Sequence, residues 1–158
     1  MGAEAIVWIF RDGEPASLQF SDVIGAFGEA VHDWDPVSGR LHVEYDSEID
    51  SCDIFCGKDA METGRVRSLL IDRPVANPRM WEAVLKIMSL GHVLLFFSYD
   101  TTPRFWDIAS VSHFPDDLIA SLGIPVRVRT PQDIAICGVS ARESNSQSVE
   151  KDQKQPGK

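Results

Sequence analysis

The sequence predicts a single α+β domain built on a mixed sheet, with a hairpin-rich first half, a β-α-β-α-β second half, and helices mainly on one face. Three observations carry that reading. Turn signals at Asp12-Gly13 and between Pro36 and Gly39 cut the first half into short strands. In the second half a capped helical pattern runs straight into "HVLLFFSY", an apolar run without polar alternation. The length, 158 residues with 44% hydrophobic and 25% charged, suits one soluble domain with its own core.

The elements follow in order. "AIVWIF" (5–10) is β-branched and aromatic and reads as a strand. "ASLQF" (16–20) is expected to return as its partner, with Pro15 on an edge. Ser21 is placed to cap a helix over 22–31, with Val23, Ile24, Phe27 and Val31 as its apolar stripe. "HDWDPVSGRLHVEYD" is expected to form a hairpin, and "CDIFCG" and "RVRSLLID" further strands. Asn77 as N-cap, Pro78 at the first turn and Gly91 beyond the end delimit a helix that buries Met80, Trp81, Val84, Leu85, Ile87 and Met88. "HVLLFFSY" is then a central strand buried on both faces, "PDDLIASLG" a short helix, and "IPVRVRT" a strand. The domain is expected to span 1–141. From Arg142 to Lys158 only Val149 is hydrophobic, and this polar tail is expected to be disordered.

Charge is unevenly distributed. The net charge is −9, and residues 1–62 hold 14 acids against 3 bases, whereas residues 63–142 hold 7 against 9. An amino-terminal field of that sign repels phosphate backbones and anionic membranes and attracts basic proteins. The expected partner is therefore a basic protein, with no nucleic acid and no membrane.

Within "HVEYDSEIDSCD" (42–53), His42, Glu44, Asp46, Glu48 and Asp50 fall on every second position. On a strand they would line one face. Arg65 and Arg67, at the same period, are the expected internal counter-charges on a neighbouring strand. Trp34, flanked by Asp33 and Asp35, and Trp106, beyond a loop, are aromatics beside charge and candidate interface anchors. The expected partner-binding set is thus Asp33, Trp34, Asp35, Glu44, Asp46, Glu48, Asp50 and Trp106.

Motifs for chemistry are weak. Asp46, Glu48 and Asp50 match the first ligand spacings of a calcium loop, but Ser51 and Gly57 stand where that loop requires Gly and Glu. Cys52 and Cys56 are too far apart for a Cys-x-x-Cys pair, and with Cys137 they make an odd number, which fits a reducing compartment. His32, His42, His92 and His113 read as structural. No nucleophile elbow, phosphate loop or dinucleotide fingerprint occurs. The start lacks a basic n-region and the longest apolar runs cannot span a bilayer, so a cytoplasmic protein is expected.

The sequence therefore predicts a non-enzymatic binding module without cofactor or metal that masks a basic partner. A toxin-neutralising immunity protein or antitoxin is one concrete form. The alternative is a small metal-assisted hydrolase using the carboxylates and histidines of residues 32–50.

Overall fold

In the computed structural model, which describes residues 3–137, the chain opens with β1 (Glu4–Arg11). Alternation sends Ala5, Val7 and Ile9 to one face of this strand and Ile6, Trp8 and Phe10 to the other. Asp12 and Gly13, both at positive φ, turn the chain. The return strand is only β2 (Glu14–Pro15); Pro15 has no N–H with which to continue the ladder. Residues Leu18–Gln19 form β3, which pairs with Arg65–Val66 rather than with β1.

Helix α1 (Phe20–Phe27) is N-capped by Gln19, not Ser21, and stops at Gly28, whose φ of 57° leaves the helical region. A 3-10 turn over Gly28–Ala30 then releases Val31 into the sheet, so the helix expected to reach Val31 is cut short. The predicted hairpin is present as β4 (Val31–Asp35) and β5 (Arg40–Glu44), followed by β6 (Ser51–Phe55). After α2 (Ala60–Thr63), residue Arg67 divides the expected 65–72 strand into β7 (Arg65–Val66) and β8 (Ser68–Asp72). The interruption changes the parity, and Leu69 and Ile71, rather than Leu70, enter the main core.

Helix α3 (Pro78–Met88) starts where predicted: the Asn77 side chain accepts from the Arg79 N–H, with Pro78 at its first turn. The central strand β9 (His92–Phe97) is buried from Val93 onward. Then come β10 (Arg104–Phe105), a 3-10 segment over Ile108–His113, α4 (Asp116–Leu122), β11 (Val126–Arg127) and α5 (Pro131–Cys137). The expected strand over 124–130 shortens to β11. The polar stretch 142–158 lies outside the described residues.

Eight strands run β11-β10-β9-β1-β8-β6-β5-β4, and β2 on β1 makes a nine-stranded sheet. All its pairings are antiparallel except β10 with β11. One face is covered by α1, α3 and α5, with Val23, Trp81, Val84, Ile87 and Ile134 over Val7, Leu41, Ile54, Ile71 and Leu95. The other face has a smaller cluster in which α4 and the second 3-10 segment cover Phe10, Leu94, Phe96 and Phe105. No side chain of β8, β6, β5 or β4 belongs to that cluster. Half of the second face is thus left without an apolar cover among the described residues.

Candidate functional site

Strand register decides what occupies the uncovered half. In antiparallel strands, paired residues place their side chains on the same face. Asp33 pairs with His42, His42 with Asp53, Asp53 with Asp72, and Asp72 with Glu4. A single row therefore crosses β4, β5, β6, β8 and β1, and it reads Asp-His-Asp-Asp-Glu. The adjoining row on the same face is Asp35, Arg40, Phe55, Leu70 and Ile6. Phe55, Leu70 and Ile6 are half-buried, so an apolar strip lies beside the acidic one.

The charges of the row are only partly matched. His42 Nδ1 lies 2.8 Å from Asp53 Oδ1, and His42 Nε2 is 4.0 Å from Glu44 Oε2. His32, displaced by the β-bulge between Val31 and Asp33, brings Nδ1 within 3.6 Å of the same Glu44 oxygen. Arg40 reaches Asp33 at 3.9 Å. Asp72 and Glu4 have no side-chain ion pair among the described residues. Neighbouring strands are about 4.8 Å apart, and two unit charges at that distance repel by about 0.9 kcal/mol in water.

The along-strand ladder drawn from the sequence does not form. Strand β5 ends at Glu44, and Asp46, Glu48 and Asp50 belong to the connection into β6. Their alternation marks a loop folded back on itself, since Tyr45 N–H donates to Asp50 O and Asp50 N–H to Ser47 O. The loop is stapled to the start of α3. Asn77 Nδ2 donates to Asp46 at 3.0 Å and to Asp50 at 2.7 Å, and Arg79 Nη2 donates to Asp46 at 2.5 Å. The Arg79 guanidinium also lies 5.4 Å from the centre of the Tyr45 ring. Carboxylates at a helix N-terminus are favoured by its exposed N–H groups. Asp46 and Asp50 are thereby tied to the protein's own α3, while Glu48 and Ile49 stand exposed at the loop tip.

The expected counter-ions are elsewhere as well. Arg65 Nε donates to Ser17 Oγ and its Nη2 to Ser17 O, across the small β3–β7 sheet. Of the expected binding set, the structure brings only Asp33, Asp35 and Glu44 to the uncovered face. Asp35 is engaged in its turn: the Ser38 hydroxyl and the Val37 N–H both donate to it and hold its carboxyl below the usual range. Trp34 points to the opposite face and packs half-buried against Phe20, with ring centres 4.8 Å apart. Trp106 is half-buried against the main core. Neither tryptophan lies on the acidic face. Asp53, Asp72 and Glu4 were not in the set, because register across strands is what assembles them.

Other candidate chemistry is explained by packing. Cys52 and Cys56 are buried and free, and burial pushes both thiols up to about 12, which leaves them protonated and unreactive at neutral pH. Among the described residues no three His, Cys, Asp or Glu side chains gather as a metal-ligand set. Also among them, no helix is long and apolar enough to cross a membrane.

His92 and His113 stack face to face with centroids 3.6 Å apart and an interplanar angle of 7°. Burial, then the facing His113, then Arg11 hold His92 below its ordinary value, against the opposing pull of Asp12 and Asp107. A histidine whose folded pKa is depressed favours folding in its neutral form. Its contribution is complete above the unfolded value of about 6.5 and is lost as pH falls below that. We expect the Tm to decline as pH falls below about 6.5, and the decline to be shallower in His92→Gln; thermal melts across that interval check this.

Comparison with protein-family models, with curated proteins and with solved structures gives no match. The functional reading accordingly rests on the geometry of the uncovered face.

Proposed function

We propose that the protein is a binding module whose uncovered sheet face, over β4, β5, β6 and β8, docks a basic protein. The single observation that carries this reading is the cross-strand row Asp33, His42, Asp53, Asp72 and Glu4. Asp53 and Asp72, and Asp72 and Glu4, are register partners, which sets like charges side by side on neighbouring strands. A partner's arginines and lysines would relieve that repulsion, and a cationic surface would be steered toward it. The adjoining Phe55 and Leu70 supply apolar area of the kind that forms the centre of an interface. An immunity protein or antitoxin that covers the cationic groove of a toxin has this design.

Edge strand β4 suits the same role. Its bulge and its residues His32, Asp33 and Asp35 discourage pairing with another strand. The partner is therefore expected to meet side chains on the sheet face, not to add a strand.

The test begins with affinity capture from the native host and identification of the captured protein. Association kinetics are then measured for the triple variant Asp33→Lys, Glu44→Lys, Asp72→Lys. The control is Asp22→Lys, Glu62→Lys, Glu82→Lys, which changes the net charge equally at exposed positions on the helices. The face variant should associate about tenfold more slowly or worse at low salt, and the difference should shrink as salt rises. If the helix variant slows association equally, net charge and not this face governs binding. If the captured partner is acidic, the proposal fails outright.

A further inference from the structure

A cavity of about 520 Å³ lies at the opposite end of β1 from Glu4, and its polar lining is Arg11, Ser17, Arg65 and His92. No carboxylate lines it, in a chain that carries 24 of them. The site draws on distant parts of the sequence. Arg11 ends β1, and His92 begins β9 opposite Phe10. Ser17 precedes β3, and Arg65 comes from β7, the partner strand of β3. Gly91 keeps this corner tight, since a Cβ there would meet Leu18 Cδ2 at 3.1 Å.

Arg65 is held in place by its two bonds to Ser17, at 2.9 and 3.0 Å. Arg11 makes no ion pair and no side-chain hydrogen bond among the described residues. It is close enough to His92 to act on that imidazole. His92 Nδ1 is engaged by Ser110 Oγ at 3.0 Å, which leaves Nε2 as the ring's remaining polar atom.

We infer that this cavity binds the oxyanion group of a small organic acid, a phosphate ester or a carboxylate, between the Arg11 and Arg65 guanidinium groups. Guanidinium groups present paired donors that match both anions. Leu18 and Leu90 line the same cavity and supply apolar surface for the carbon body of the ligand. The inference is independent of the acidic face, which lies over β4, β5, β6 and β8.

The test is an NMR titration of the protein with inorganic phosphate and, separately, with benzoate, at low ionic strength, with chloride as the control. Phosphate or benzoate should produce saturable shifts at Arg11, Ser17, Gly91 and His92, and should raise the His92 pKa, because an anion adds to the pull of Asp12 and Asp107 on the imidazolium against Arg11 and His113. Saturation by phosphate alone identifies a phosphate site, and saturation by benzoate alone a carboxylate site. Arg11→Gln should weaken binding at least tenfold, and Arg129→Gln should leave it unchanged. Arg65→Gln should do the same as Arg11→Gln, but it also removes the bonds to Ser17; Arg11→Gln, which removes none, keeps the test decisive if the Arg65 variant unfolds. Shifts that do not saturate with either anion, or saturation that survives Arg11→Gln, overturn the assignment.

Discussion

Replacing Asp100 by Ala should lower stability by about 3 kcal/mol, visible as a shift of the urea midpoint with an unchanged slope. Arg104 is fully buried, and its Nη2 donates to Asp100 Oδ2 at 2.8 Å. Its Nη1 donates to Thr102 O, and its guanidinium lies 4.8 Å from the centre of the Phe97 ring. Without Asp100 the buried cation loses this ion pair, and breaking one side of such a pair costs about 3–5 kcal/mol in general. The lower end applies because Asp100 is one third exposed. Burial alone would raise the Asp100 pKa, but hydrogen bonds from Thr102 and Arg104 outweigh it and hold the carboxyl low. A depressed carboxylate contributes fully above its unfolded value of about 3.9 and loses that contribution as pH falls below it. Asp100→Ala should therefore show less of the wild-type protein's acid sensitivity below about pH 4. Asp100→Asn, which keeps an acceptor for Thr102, should fall between the two.

Gly39→Ala should be about as damaging, roughly 3 kcal/mol, and for a different reason. Gly39 has a φ of 71° in the turn between β4 and β5, and a Cβ there would sit 2.4 Å from Gly57 O and 2.8 Å from Lys58 N. Those atoms are backbone, and they cannot rotate away as a side-chain end would. The contact is also used, because the Cys56 N–H donates to Gly39 O at 2.8 Å. Gly13→Ala makes a useful comparison. Gly13 also has positive φ, at 79°, but nothing lies within 4 Å of an added Cβ. It should show the conformational cost alone, about 1 kcal/mol. Equal losses at the two positions would refute the close-approach argument.

Most of the fold was legible because its signals are local. The Asn77–Pro78 start of α3, the unalternating run of β9 and the Pro36–Gly39 hairpin each rest on residues within a few positions of one another. Errors arose where a local signal competed with a distant one. Leu18 pairs with Val66, and Val31, which the helical spacing assigns to the first helix, pairs with Val43. The acidic site was read in the wrong direction. Period-two spacing suggested a ladder along a strand, but the strand ends at Glu44 and the loop beyond it closes on Asn77 and Arg79. The row that forms instead combines Glu4, Asp33, Asp53 and Asp72, whose alignment depends on four separate registers. No spacing within one segment encodes that.

Strand β1 lies between β8 and β9, both far from it in sequence. Strand β1 is thus completed on one side by residues 68–72 and on the other by residues 92–97. Until both are in place, Val7 and Trp8 have no ladder partners, and closing such wide loops is slow. The centre of the sheet therefore waits on contacts distant in sequence, and an apolar strand left unpaired in the meantime is prone to aggregate.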